Sequence, residues 1–321
     1  MKQLSLWKHV RPGSLFILSI LIAMEISAKQ SDPIISLYTL EDGMSANIVN
    51  CIVKDANGFI WISQADNTIS RFDGYGFTAY PLNENKGWNG FQSWRGGLTT
   101  LNNGNFRISS RSSITEYDIR SDRFFEFLEA IYSENPGIQR LEGQCHLQKD
   151  TVWFFEDNKI RLLEPEKDPA KAYKETILHL DDNIGKVTCT QEGAAGELWI
   201  GTKSGIYLIN HDSGQLKLTR CTIVLKNNPA PSQNVWRIIF TNNNMWFISN
   251  DGIINATIQI GSDTTSGPVL TGEAISIDRP EIDFTPSYYP LNMVSDGSEY
   301  IYFRTSMGIY RYSIPDNRIV R

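Results

Sequence analysis

The pair of residues best suited to nucleophilic chemistry in this chain is Cys145-His146. A catalytic cysteine needs a base within hydrogen-bonding reach of its thiol. Both residues fall in a short apolar run that predicts a β-strand, and neighbouring side chains of a strand point to opposite faces. The two side chains are therefore expected not to meet, and no catalytic residue is predicted. The motifs HExxH, GxSxG and a paired CxxC are absent from the sequence.

The residues that could ligate a metal are scattered along the chain. After residue 28 the histidines are His146, His179 and His211, and their positions do not have the spacing of metal ligands. The run Asp181-Asp182-Asn183 offers oxygen atoms but lacks the remaining positions of a calcium loop. We interpret this run as a solvated acidic turn. No metal site, cofactor or cofactor-binding residue is predicted.

Aromatic and arginine side chains form a third group, which suits ligand binding. Such residues in surface loops suit stacking against a sugar ring and hydrogen bonding to the polar groups of a glycan. The alternative is packing between loops and core, because burial is the commoner use of aromatic side chains. The candidate ligand-binding residues are Trp88, Trp94, Arg95, Trp236, Arg237, Tyr288 and Tyr289.

The elements that must position these residues form a repeat. One bulky residue recurs in a similar apolar setting every 45 to 47 positions, followed by a last interval of 56. A period of about 40 to 50 residues made of short β-like runs is typical of propeller blades. We expect the recurring residues to pack between blades as structural anchors. They are Trp61, Phe106, Trp153, Trp199, Trp246 and Tyr302.

Residues 47–81 contain one complete unit with four β-like runs. Clusters of Gly, Asn and Asp separate the runs, and these residues tolerate the positive φ angles of tight hairpin turns. The sequence therefore predicts an all-β protein, a β-propeller of four-stranded antiparallel blades. Six units are visible, which fits either a six-bladed ring or part of a seven-bladed ring. Gly205, Gly252 and Gly308 stand at the turn into the third run of their units, where a positive φ angle is expected.

Two segments fall outside the regular units. The apolar run at 34–40 precedes the first unit and could serve as a strand that closes the ring. The longer last interval places its extra residues within 257–290. A polar run of Gly, Ser, Thr and Pro at 261–268 predicts a surface insertion there.

The N-terminus has the features of an export signal. Three basic residues precede an apolar run at 15–24, and a small residue, Ala28, follows. Residues 1–28 are predicted to be a signal peptide, with an uncleaved anchor as the alternative. Residues 29–321 are then a periplasmic or otherwise exported propeller domain, either complete or truncated at its C-terminal end. The net charge of −6 argues against nucleic acid as a partner.

The four cysteines are Cys51, Cys145, Cys189 and Cys221. An exported chain could oxidise an even number of cysteines to disulfides. Three of them lie in the first run of separate units, where a free cysteine serves as a small buried apolar residue. The spacing indicates no particular pairing, so the disulfide state stays open.

Several ordered phrases carry a family resemblance. They are LEDGMS at 40–45, NIV at 47–49, Asp55 and Gly58 followed by IWI at 60–62, and RFDG at 71–74. This order resembles the two-component regulator propeller, the periplasmic sensor region of Bacteroidetes-type hybrid two-component histidine kinases. The segment GELWIGTKSGIYLIN at 196–210 resembles the short repeat of the same family.

The resemblance implies a sensor. In that family the blades precede a β-sandwich domain, a transmembrane helix and a histidine kinase, and the usual stimuli are glycans or their breakdown products. We therefore expect a non-enzymatic ligand-recognition domain of a two-component signal transduction protein. A glycan or oligosaccharide, the downstream domains and a second copy of the chain are its expected partners. The alternatives are a secreted propeller enzyme of the lyase or glycosidase type and a free-standing interaction module.

Overall fold

A computed structural model describes residues 36–55, 57–66, 68–81, 98–100, 105–109, 114–127, 137, 144–148, 151–166, 173–212, 214–226, 228, 231–241, 244–260, 267–275, 282, 284, 292–297, 299–305 and 308–320. The chain divides into two compact units, Met1–Thr39 and Leu40–Arg321. All strands of the described residues belong to the second unit. Among the described residues, no helix is long and apolar enough to cross a membrane. The predicted signal peptide lies outside the described residues.

The strands of the second unit form six small sheets in a ring, which makes this unit a six-bladed β-propeller. The prediction of an all-β propeller is confirmed, and the six-bladed alternative is the one observed. A 3-10 turn at Leu40–Asp42 precedes the first strand. Five blades are meanders of four strands in chain order, and the fifth blade carries one more strand.

The strands of the first three blades are β1 Val49–Lys54, β2 Ile60–Gln64, β3 Thr68–Phe72, β4 Phe77–Pro81; β5 Leu98–Thr100, β6 Phe106–Ser109, β7 Ile114–Asp118, β8 Arg123–Glu126; and β9 Gln144–Gln148, β10 Thr151–Phe155, β11 Lys159–Pro165, β12 Tyr173–His179. Those of the last three are β13 Val187–Glu192, β14 Leu198–Thr202, β15 Gly205–Asp212, β16 Gln215–Arg220; β17 Thr222–Leu225, β18 Val235–Thr241, β19 Asn244–Ser249, β20 Gly252–Gln259, β21 Val269–Ala274; and β22 Asn292–Ser295, β23 Tyr300–Thr305, β24 Gly308–Ser313, β25 Arg318–Val320.

The core lies between successive blades. Five apolar clusters each combine side chains from two neighbouring blades, for example Trp61 and Phe106 between blades 1 and 2. Five of the six recurring residues are at most 4% exposed, while Tyr302 is only half-buried. Middle strands are covered on both faces, which explains why β14 has no alternation of buried and exposed residues.

The turn from the second to the third strand requires glycine in the last three blades. Gly205, Gly252 and Gly308 have φ angles of +141°, +108° and +144°. Each is the first residue of a third strand. A side chain is rarely compatible with such backbone angles, so the expectation from the sequence agrees with the structure.

One segment differs from the expectations, and another is described only in part. Residues 36–39 form no strand and Leu40 begins the 3-10 turn, so the described part of 34–40 supplies no closing strand. Instead β25 completes the sixth blade from its own unit. Of the predicted surface insertion at 261–268, only residues 267 and 268 belong to the described part of the chain. Pro268 is buried, and its carbonyl oxygen accepts a hydrogen bond of 2.9 Å from the Thr222 N–H, while residues 261–266 lie outside the described residues.

The fifth blade has an outer strand that the repeat did not predict. Strand β17 comes from the connection between blades 4 and 5 and pairs in parallel with β21. A glycine at position 272 permits close approach of the neighbouring backbone, since an added Cβ would overlap the carbonyl oxygen of Asn255. In the other blades the fourth strand is the outer edge of the sheet. In blade 5 the extra strand β17 covers that edge.

Candidate functional site

The two residues considered first for chemistry are adjacent on β9, the first strand of blade 3. Burial raises the pKa of the Cys145 thiol well above its usual range, and it lowers the pKa of His146 to about 4. His146 Nδ1 lies 3.2 Å from Thr190 Oγ1. A nucleophilic cysteine needs a thiolate, and this environment opposes the charged forms of both side chains. All four cysteines have free thiols.

The acidic run at 181–183 forms an exposed turn, in which the Ile184 N–H donates 3.0 Å to the Asp181 carbonyl oxygen. Across the described part of the chain, no three His, Cys, Asp or Glu side chains converge as metal ligands would. The turn therefore has the geometry of a surface loop.

Two of the seven predicted ligand-binding residues can be placed. Trp236 and Arg237 lie at the start of β18, and the Trp236 indole N–H donates 3.0 Å to Asn250 Oδ1 in the β19–β20 turn. Arg237 is half-buried, and its Nε is buried without a hydrogen-bond partner. The other five, Trp88, Trp94, Arg95, Tyr288 and Tyr289, lie outside the described residues.

The segment that carries the family resemblance forms a hydrogen-bond network in blade 1, with one set of bonds around Asp55 and another around Gln64. Asp55 accepts bonds from the backbone N–H groups of Asn57 and Phe59, at 2.9 and 3.0 Å, and from the Trp61 indole at 2.7 Å. The buried Gln64 donates 2.7 Å to the Ala46 carbonyl oxygen. These residues fix the turn and the anchor, so the phrase around them encodes the geometry of a blade.

Ser45 and Asn47 extend this network at the start of blade 1. The Ser45 hydroxyl donates 2.6 Å to Gln64 Oε1. Asn47 Oδ1 accepts a bond of 3.1 Å from the Leu40 N–H, which begins the 3-10 turn. The segment between the 3-10 turn and β1 is thus attached to the turn through Asn47 and to the second strand through Ser45.

A cleft of about 290 Å³ lies between blades 3 and 4, and sequence reasoning did not find it. We call it the blade 3–4 cleft. It lies at the end of the strands where the first strand connects to the second and the third strand connects to the fourth. A fourth strand ends, and the next first strand begins, at the opposite ends of the strands from the cleft. Its polar lining residues are Gln148, Thr151, Glu164, Glu197, Asn210 and His211.

The floor of the blade 3–4 cleft is apolar. Trp153, Leu162, Leu198 and Ile209 line it, and each is at most 4% exposed. The Trp153 indole donates 3.3 Å to Gln148 Oε1, and the Gln148 amide donates to the Gly196 carbonyl oxygen of blade 4. One glutamine therefore both holds the anchor of blade 3 and links the two blades.

The rim of the blade 3–4 cleft carries charge. His211 Nδ1 of blade 4 lies 3.4 Å from Glu164 Oε1 of blade 3. Glu197 accepts bonds from the Trp199 indole at 3.2 Å and from the Ala195 N–H at 3.0 Å. The arrangement can hold a small polar ligand. The one signal in the sequence is the glutamate two positions before an anchor tryptophan, where blade 1 has Phe59.

Comparison with known proteins concerns one repeat and the fold. Residues 43–65 match the sequence model of the two component regulator propeller family. No curated protein sequence matches the chain. A streptogramin B lyase structure has a TM-score of 0.54 at 18% identity, over 87% of this chain and 83% of that one.

Two further structures come from bacterial surface and sensor proteins. PorZ, a surface component of the type-IX secretion system of Porphyromonas gingivalis, has a TM-score of 0.55 at 13% identity, over 82% of this chain and 38% of its own. The extracellular domain of a putative hybrid two component system from B. thetaiotaomicron has a TM-score of 0.37 at 14% identity, over 89% of this chain and 48% of that one. This chain thus spans less than half the length of both. The first two likenesses show the propeller fold, and the third superposes too loosely to add to them.

Proposed function

We propose that this chain, a β-propeller that carries the two-component regulator propeller repeat at residues 43–65, is the extracytoplasmic sensor of a two-component signal transduction protein. Its role is ligand recognition, and the catalytic output belongs to kinase domains in the complete regulator. The single observation that carries this proposal is the matched repeat. Its motif residues, Asp55, Trp61 and Gln64, are all in the blade 1 network described above.

The proposed ligand is a glycan or one of its breakdown products. Support comes from the aromatic and arginine residues that the sequence places in the connections between blades. Trp236 lies at that end of the strands and is half-buried, so part of its ring is open to solvent. Aromatic rings beside polar groups are typical of sites that bind small polar ligands. Export, by the signal peptide proposed at 1–28, would give the propeller access to such ligands.

The test is a transcriptional response in the native host. Cells that carry the natural gene are compared with cells that carry Trp94→Ala/Arg95→Ala, on a panel of polysaccharides. We expect at least one glycan to induce transcripts in the first strain, and the double substitution to abolish that induction. The matched control is Tyr75→Ala, because Tyr75 is 98% exposed in a turn at the other end of the strands. Induction that persists in the double variant would refute the proposed binding face, and a propeller deletion without effect would refute the sensor.

A propeller enzyme is the competing function, since a lyase shares the fold. The purified chain is incubated with the same glycans and with a streptogramin B, and the products are analysed by mass spectrometry. The sensor proposal predicts recovery of intact compounds. Time-dependent cleavage of any of them would replace the sensor with an enzyme.

A further inference from the structure

The blade 3–4 cleft is of a size that suits a small ligand. Its volume of about 290 Å³ is at the lower end of the range for ligand sites, roughly 300 to 1,000 Å³. The floor residues Trp153 and Leu162 are 4% and 0% exposed, so they offer little surface for stacking. Recognition must therefore come from the polar rim.

The rim has a negative charge. Glu164 and Glu197 contribute one carboxylate from each blade, and the described lining includes neither lysine nor arginine. The side chains of Glu164 and His211 are only 25% and 27% exposed. Charges that are partly shielded from water interact more strongly than fully solvated ones. The cleft therefore favours a cation over an anion.

The hydrogen bonds of the rim occupy one N–H of each rim amide and leave carboxylate acceptors available. The Asn210 amide donates 3.2 Å to Thr219 Oγ1, and the Gln148 amide donates to the Gly196 carbonyl oxygen. Glu197 accepts one bond on each oxygen, whereas a carboxylate has about four acceptor sites. A ligand that brings several donors of its own can use these acceptors.

We infer that the blade 3–4 cleft binds the ammonium group of a small amine. An ammonium group combines a positive charge with three donors and no acceptor. Glu164 of blade 3 and Glu197 of blade 4 both line the cleft and offer it carboxylate acceptors. Such a group occurs on amino sugars and on simple alkyl amines. The inference deepens the proposed function, and only the signalling role of the amine rests on that function.

Calorimetric titration of the full chain at pH 7 tests the inference with three probes. D-Glucosamine carries the ammonium group on a sugar ring, putrescine carries it without a ring, and N-acetyl-D-glucosamine has the ring without the charge. We expect one or both amines to bind, and the N-acetyl sugar to bind at least tenfold more weakly. Glucosamine binding alone assigns the site to amino sugars, and equal binding of putrescine assigns it to amines in general. Absence of binding by both amines, or equal binding of the N-acetyl sugar, overturns the inference.

Two substitutions locate the site. Glu164→Gln and Glu197→Gln each remove one charge with little change in shape, and the new amide oxygen at 197 can still accept the Trp199 indole bond. Each variant is expected to weaken amine binding at least tenfold. The control Glu299→Gln changes an exposed glutamate of blade 6 and should bind as the natural chain does. Unchanged affinity in Glu164→Gln overturns the site. If the natural chain binds no amine but the glycan response is intact, only the cleft is refuted. If the chain binds the amine but shows no glycan response, only the sensor is refuted.

Discussion

Blades 1 and 4 repeat the same unit, yet they hold their anchor tryptophans with different side chains. The turn before the second strand has the same backbone bond in both. The Asp55 N–H donates 3.0 Å to the Phe59 carbonyl oxygen, and the Gly193 N–H donates 2.8 Å to the Glu197 carbonyl oxygen. Position 193 in blade 4 therefore corresponds to position 55 in blade 1.

The acceptor of the indole N–H differs between these blades. The Trp61 indole donates 2.7 Å to Asp55, and the Trp199 indole donates 3.2 Å to Glu197. A Cβ added to Gly193 would overlap the carboxylate of Glu197. The Glu197 carboxylate thus occupies the space that the Asp55 side chain fills in blade 1.

The comparison shows that a blade needs an acceptor for its anchor, and that the sequence position of this acceptor can change. In blade 1 the carboxylate is closed off, because Asp55 is 5% exposed. In blade 4 the carboxylate comes from four positions later and lines the blade 3–4 cleft. Blade 6 keeps an aspartate at this turn, Asp296, although its anchor is a tyrosine without an indole. The change of the indole acceptor from the first position of the turn to a position four residues later leaves the blade fold intact. It also places a carboxylate in the blade 3–4 cleft.

The largest expected effect is that of Asp55→Ala. This substitution leaves the buried Trp61 indole and two backbone N–H groups without the acceptor that the buried Asp55 provides. Unfolding in urea should show a loss of about 3 to 5 kcal/mol in the free energy of unfolding. The control is Glu197→Ala, for which we expect a loss of about 1 to 2 kcal/mol, because water can reach this half-buried turn. Equal losses in the two variants would contradict the contrast between the buried carboxylate of Asp55 and the half-buried one of Glu197.

The second prediction compares the residues that pair with the anchors on the first strand. Val53 pairs with Trp61, and His146 pairs with Trp153. The pKa of His146 is lowered to about 4 by burial, so the folded state disfavours the protonated form. Its contribution to stability is full above the unfolded pKa of about 6.5 and is lost as the pH falls toward 4, by up to about 3 kcal/mol.

His146→Val should remove this part of the pH dependence and leave the rest of the profile in place. The control is His179→Gln, which changes an exposed histidine on β12. Urea unfolding between pH 7 and pH 4 measures both variants. A slope in His146→Val equal to that of the natural chain would show that another group causes the acid sensitivity.

The third prediction concerns the position two residues after the anchor. Gly201 pairs with Cys189 in blade 4, and Ser63 pairs with Cys51 in blade 1. A Cβ at Gly201 would lie 2.6 Å from Cys189 Sγ, so Gly201→Ala should lower the free energy of unfolding by about 1 to 3 kcal/mol. The Ser63 hydroxyl is buried without a hydrogen-bond partner. Ser63→Ala should therefore leave stability unchanged or raise it by up to about 1 kcal/mol. Tolerance of alanine at 201 would show that the two blades pack alike.

The repeat of anchor residues was sufficient to predict the blades, because each anchor lies in an apolar second strand between Gly- or Asn-rich turns. The four β-like runs predicted within 47–81 correspond to β1, β2, β3 and β4 of blade 1. Local turn chemistry determines these strands, so a single sequence shows them. The six-bladed ring could not be separated from a seven-bladed one, because the number of blades depends on how blades meet.

The features that sequence reasoning missed depend on contacts between distant residues. Strand β17 forms because Thr222 pairs with Val269, and no local pattern signals a parallel partner so far along the chain. The blade 3–4 cleft arises where Glu164 and His211 of different blades approach each other. Each side chain alone has the sequence context of an exposed residue at the end of a strand. Five predicted ligand residues lie outside the described residues and stay predictions.

The measurement that tests the comparison most directly is the effect of Gly193→Asp in two backgrounds. With Glu197 present, the new side chain collides with the Glu197 carboxylate, so we expect the free energy of unfolding to fall. In the Glu197→Ala background the same substitution restores a carboxylate at the position of Asp55. We therefore expect the free energy of unfolding to rise by about 1 kcal/mol in that background. This change of sign, read from urea unfolding of the four variants in one double-mutant cycle, is the predicted result. A loss of stability in both backgrounds would contradict the claim that Glu197 replaces the blade 1 aspartate.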